Sequence, residues 1–311
     1  MSWWCSASRR TWTWTPRPYL GAWIVVGAVV GLAIWWLVRG RHQDPLAAAQ
    51  ADAATREHPN AVQVIHGSSR GRTIALVLGA LGLWAVLDWP LATLGAGYLA
   101  TAQMARQIWM VMVVAPLLLF ACPAGLAVRL FGWGRRLTVL RLSARPFVAI
   151  PVAALTLVTV NTPAVLDPLL RTPYGAFGMD VAWMVAGFVL WMPVQCPHPG
   201  VRRLEGPAMA AYLIGQSIVP VIPGFFMTWA DFPIYSTYDL APRAIAGFDA
   251  VQDQQAAAAV LQVGGMVLLW LQLSYRFLHW AYSEMDQGLK GNRRRSSGSS
   301  PTPLPGTGAP S

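Results

Sequence analysis

Apolar runs long enough to cross a bilayer recur along this chain, and they leave it few folds to choose from. A helix needs about 20 apolar residues to span the ~30 Å of membrane hydrocarbon. The sequence supplies such runs at residues 19–38, 73–89, 98–122, 146–161, 177–194, 208–229 and 255–280. Of the 311 residues, 55% are hydrophobic and only 12% are charged, where a soluble domain carries about 25%. The short alternating segments of a transmembrane barrel are not the pattern seen. The expectation is an all-α, polytopic membrane protein built as a bundle of seven helices. Sixteen tryptophans, many near the ends of the runs, suit the aromatic belts at the two interfaces.

The segments between the runs set the organisation. Residues 1–18 are basic and tryptophan-rich and read as an interfacial segment ahead of a membrane domain over 19–283. The first run is too long for a signal-peptide core and has no small-residue cleavage site after it. A polar linker over 39–72 carries five arginines, and its alanine-rich middle suits a short surface helix. Pro220 and Pro223 predict a kink in the sixth run. Asp167, Asp231, Asp239, Asp249 and Asp253 make one set of loops acidic, expected as solvated surface. Residues 284–311, basic and then rich in Ser, Gly and Pro, read as a disordered tail. Seventeen lysines and arginines fall on one side of the spans and five on the other, with Arg106 inside a span. That bias puts the N-terminus outside and the C-terminus in the cytoplasm.

Several function classes drop out. The net charge of +10 fits loops facing anionic membrane lipids rather than nucleic acid. The three cysteines, Cys5, Cys122 and Cys196, form no CxxC and no disulfide framework. GAVVGLAIWW and GALGLW lack the strand context of a nucleotide loop, and no catalytic triad or HExxH is present, so no enzyme is expected.

The run over 98–122, YLATAQMARQIWMVMVVAPLLLFAC, holds the polar residues that matter most. Gln103 and Gln107 stand one helical turn apart on one face, with Arg106 beside them. Polar groups at membrane depth are costly and mark working sites. Asp180, at a matching depth in the fifth run, is the carboxylate expected to pair with Arg106. The two glutamines suit hydrogen bonds between helices. Met104, Met179 and Met227 fall near the outer ends of their spans, and thioethers bind Cu(I), though methionine is also an ordinary packing residue. Cys122 and Cys196 lie near the cytoplasmic ends of theirs.

Four stretches carry a family likeness: QMARQIWMVMVVAPLLLFACPA, NTPAVLDPLLRTPYG, WMVAGFVLWMPV and FPIYSTYDLAPRAIAGFDAVQDQQAAAAVLQVGG. In them the chain resembles the CtaG-type cytochrome c oxidase assembly factors, over most of residues 19–283. The resemblance implies a seven-span protein of the bacterial inner (plasma) membrane that acts without catalysis. It would assist maturation of the oxidase by handling copper, with oxidase subunits or another copper protein as partners. The family's third span opens with a His-Met-x-x-His pattern; here that place reads Gln103-Met104-Ala105-Arg106-Gln107. The histidine after the fourth span becomes Asn161 or Thr162, and the pair opening the fifth becomes Ala176 and Asp180. The chain's own histidines, His42, His58, His66, His198 and His279, lie elsewhere. The resemblance therefore implies a divergent member that works through protein contacts, or a copper site rebuilt from Met104, Met179 and Met227. A reading from another class is a small-solute or ion transporter centred on Arg106 and Asp180.

Overall fold

The structure is a computed structural model and describes residues 2–39, 69–132 and 134–298. All regular elements among the described residues are helices. In chain order they are α1 (Leu20–Arg39), α2 (Ser69–Leu87), α3 (Leu91–Gly97), α4 (Ala100–Ala121, with a π turn at Met110–Val114), α5 (Ala124–Phe131) and α6 (Arg135–Ser143). There follow α7 (Pro146–Asn161), α8 (Pro163–Leu170), α9 (Pro173–Gln195), α10 (Gly206–Gln216), α11 (Val221–Trp229) and α12 (Ser236–Asp239). The last, α13, runs from Ala250–Ala259 through a π turn at Val260–Gly264 and along Gly265–Gly298.

Among the described residues, five stretches are long and apolar enough to cross a membrane: α2, α4, α9, α10 with α11, and α13. A sixth results if α6 and α7, bent by 79°, count as one span, and Leu20–Trp35 of α1 is a shorter apolar helix. This is the build of a multi-pass membrane protein, in which every backbone group must be satisfied internally. The expected linker helix and three histidines, His42, His58 and His66, lie outside the described residues. Residues 284–298, expected as the start of a disordered tail, continue α13, and 299–311 lie outside the described residues.

Helix α4 is the centre of the bundle. It packs against α2, α3, α9 and α13, and it is the most buried of the candidate spans. Its π turn follows from Pro116. Proline has no N–H to give the carbonyl four residues back, and its ring crowds that carbonyl, here Met112. The helix widens, so that the Ala115 N–H reaches Met110 and the Val111 carbonyl is released as well. Two neighbouring helices take up these acceptors: Trp191 Nε1 of α9 donates to the Val111 carbonyl at 2.8 Å, and Gln272 Nε2 of α13 donates to that of Met112. Gly187 lets α9 come this close, since a Cβ there would lie 2.8 Å from the Ala115 Cβ. The expected kink of the sixth run is a break between α10 and α11, ending at Pro220.

Residues 2–19 fold back over the bundle. The Ala7 N–H donates to the Leu170 carbonyl and the Gly21 N–H to that of Trp3, both at 2.7 Å. Trp3 packs on Tyr174 and Phe177, and Trp12 on Tyr98. Trp4 and Cys5 are buried beneath this strap.

The acidic loops need one correction. Asp231, Asp239 and Asp249 are exposed as expected, but Asp167 and Asp253 are buried. Asp253 accepts from the Ala100 N–H at 2.6 Å and from the Thr101 N–H and hydroxyl at 3.0 and 2.7 Å. Asp167 accepts from the Ser236 N–H and hydroxyl and the Thr237 N–H. Each carboxylate caps the N-terminus of another helix, where unpaired N–H groups and the helix dipole favour an anion. These caps are satisfied by residues distant in sequence, so composition alone does not distinguish them from solvated carboxylates.

Candidate functional site

Arg106 projects from the first half of α4 into a closed polar cluster. Its Nη2 donates to both Asp180 oxygens at 3.0 Å, and the two side chains are 3% and 4% exposed. Its Nη1 donates to Gln103 Oε1 at 2.8 Å, and its Nε to the Val86 carbonyl at 2.7 Å. That carbonyl is available because its helical partner four residues on is Pro90, which has no N–H. It also lies at the C-terminal end of α2, where a cation is favoured. The guanidinium stands 5.8 Å from the centre of the Trp183 ring, one turn beyond Asp180. Gly95 makes room for all this: a Cβ there would fall 2.7 Å from Gln103 Oε1 and 2.9 Å from Arg106 Cδ.

Burying two charges costs several kcal/mol per ion in a low-dielectric interior, and only good geometry with further hydrogen bonds offsets it. Here the pair has both. Asp180 gains a third donor, since Trp4 Nε1 reaches its Oδ2 at 3.0 Å. The N-terminal strap therefore closes the site through the Trp4 indole. Beside Trp4, burial pushes the Cys5 thiol above its ordinary pKa, while Tyr19 and Thr93 pair through their hydroxyls at 3.1 Å.

The remaining expected residues divide between this cluster and its surroundings. Gln103 joins it, and its Nε2 also donates to Met179 Sδ at 3.7 Å. Gln107 turns the other way. Its Oε1 accepts no hydrogen bond among the described residues and it lines a cavity of about 20 Å³ with Ile108, Val111, Leu157, Pro220 and Leu261, large enough for about one water. Met104 and Met227 are completely buried in the apolar core. Cys196 lies past the far end of α9, where burial pushes its thiol up to about 11.

A model of the cytochrome c oxidase caa3 assembly factor family matches residues 53–283. The chain belongs to this family. No curated protein and no solved structure matches it. In this assembly factor the Arg106–Asp180 pair and both glutamines fall inside the matched segment, whereas Trp4 and Cys5, which close the site, fall outside it.

The family-like motifs supply the surrounding frame. In PIYSTY, Tyr238 donates to the Gly95 carbonyl at 2.7 Å and Tyr235 to that of Asn161 at 2.8 Å. In DQQ, Asp253 caps α4 as described, and Gln254 joins the Ile234 N–H to the Met227 carbonyl. Copper is the cargo that the resemblance brings with it, and the donors at the motif position can be tested against it. Copper prefers thiolate, thioether and imidazole. Both Asp180 oxygens and the Gln103 oxygen here accept from Arg106, whose own charge occupies the place of a cation. This donor set does not fit copper.

Proposed function

We propose that this assembly factor is a seven-span protein of the bacterial plasma membrane, N-terminus outside and C-terminus in the cytoplasm, that helps mature cytochrome c oxidase through protein contacts and without catalysis. The observation that carries this reading is the exchange of chemistry at the motif position. A guanidinium held by Asp180, Gln103 and the Val86 carbonyl stands in place of the family's histidines. A fixed internal ion pair keeps α2, α4 and α9 in one arrangement, so that the outer ends of the helices present a constant surface to the oxidase. No step of this role passes through bound copper.

The family membership supports association with the oxidase over the transporter reading. A tagged full-length copy, crosslinked in membranes during oxidase synthesis, should recover oxidase subunits, and the Arg106→Met/Asp180→Leu form should recover them as well if the pair is architectural. Recovery of no oxidase subunit from the native form would overturn the contact role.

A further inference from the structure

Beyond the far end of α9 the molecule carries a second organised feature, the elbow between α6 and α7. Leu137 and Leu140, three residues apart and 3% and 4% exposed, fix the inner face of α6. Val139 and Leu142, also three apart and on the opposite face, are 63% and 48% exposed. Arg135 lies between them, and Arg136 and Arg141 flank them, one on each side. The 79° bend sets α6 nearly at right angles to α7, and Arg141 brings it against the loop past the end of α9. Arg145 and Phe147, both exposed, follow at the corner.

The charge here is one-sided. No Asp or Glu occurs between Asp88 and Asp167, and among the described residues no carboxylate forms an ion pair with Arg135, Arg136, Arg141 or Arg145. Arg141 is held in place by its Nε, which donates to the Gly200 carbonyl at 3.0 Å. An apolar stripe bordered by arginines on a helix set nearly at right angles to α7 is the pattern of an interfacial helix. Water alone would leave Val139, Leu142 and Phe147 uncovered, and a soluble polyanion would not cover them either.

We propose that α6 and its elbow bind anionic phospholipid, with Val139, Leu142 and Phe147 at the acyl boundary and the four arginines on headgroup phosphates. Arginine suits phosphate through its forked donors, and each basic residue near an anionic surface is worth about 1 kcal/mol, or about fivefold in affinity. The assignment does not depend on which side of the membrane this end faces.

The test uses the full-length protein in detergent, given mixed micelles of phosphatidylglycerol and phosphatidylcholine, with retained lipid counted by mass spectrometry. Phosphatidylglycerol should be enriched, and millimolar inorganic phosphate should not displace it. The Arg135→Gln/Arg136→Gln/Arg141→Gln form should lose affinity by about fivefold per arginine removed. The Arg9→Gln/Arg10→Gln/Arg17→Gln form, with the same change of net charge at the strap, should keep it. Should the first triple misfold, single Arg136→Gln and Arg141→Gln forms carry the same comparison. Equal retention of the two lipids, equal loss in both triples, unchanged retention in both single forms, or displacement by free phosphate would each overturn the assignment.

Discussion

Truncating Arg106 to alanine probes the centre of the structure, and its cost can be worked from the contacts. The change leaves Asp180 as a buried carboxylate with only the Trp4 indole as donor, and strips the Val86 carbonyl and the Gln103 oxygen of their partner. Removing one member of a buried pair costs about 3–5 kcal/mol. At about 2–4 °C per kcal/mol for a chain of this size, the unfolding midpoint should drop by roughly 10 °C. Replacing both charges with apolar residues of similar volume, as in Arg106→Met/Asp180→Leu, removes the stranded anion. It leaves only neutral orphans, at about 1–3 kcal/mol each where they stay dry. The double form should therefore be more stable than Arg106→Ala, and the cycle of native, Arg106→Met, Asp180→Leu and double forms should give a coupling of about 3 kcal/mol, the upper end for residues in contact. Thermal unfolding in detergent, followed by loss of monodisperse protein, measures all five forms. Equal destabilisation of Arg106→Ala and the double form would refute the reasoning, because it would mean the two charges do not stabilise one another.

Three further outcomes are expected. Trp4→Phe keeps the ring but loses the N–H on Asp180, costing about 1.5–3 kcal/mol as a hydrogen bond to a charged group, and Trp4→Ala should in addition speed labelling of Cys5 by a maleimide; unchanged labelling would show that the strap does not cover that thiol. Gln272→Leu should cost about 1–3 kcal/mol by stranding the Met112 carbonyl, but much less in a Pro116→Ala background, where residue 116 regains an N–H for that carbonyl; a double-mutant cycle reads the difference. The third concerns His198, whose Nδ1 accepts from the Gly200 N–H at 3.0 Å and whose pKa burial pushes below its ordinary 6.5. A group depressed in the folded state adds stability that is complete above its unfolded pKa and is lost as pH falls. Stability should thus decline below pH ~6.5, by at most about 1.4 kcal/mol per pH unit from this residue, and His198→Asn should flatten that decline in unfolding measured across pH.

The sequence reveals some of this readily. A guanidinium inside an apolar run needs a partner, and Asp180 is the carboxylate within a run at the right depth, so their contact is legible from residue types alone. The break at Pro220 is legible in the same way, and the π turn ahead of Pro116 has the same origin, since proline withdraws an N–H wherever it stands. What fills the released acceptors is not. Nothing local to Trp191 or Gln272 shows that the carbonyls of Val111 and Met112 await them, because those carbonyls become acceptors only once the helix widens. Trp4 is hidden among several indoles of one basic stretch, and which of them reaches Asp180 depends on the path of the strap. Asp167 and Asp253 look like loop carboxylates until the helices they cap are brought beside them. The exchange of histidine for glutamine and arginine at the motif position is visible in the sequence and already removes the imidazole donors, whereas the hold of Arg106 on both Asp180 oxygens is seen only in the structure.

The role in oxidase maturation is tested most directly by the cytochrome c oxidase activity of membranes from a strain lacking this chain, normalised to oxidase haem. Activity should fall well below that of the parent and return when the full-length chain is restored. Oxidase of normal amount and activity in the deletion strain would contradict the proposed function.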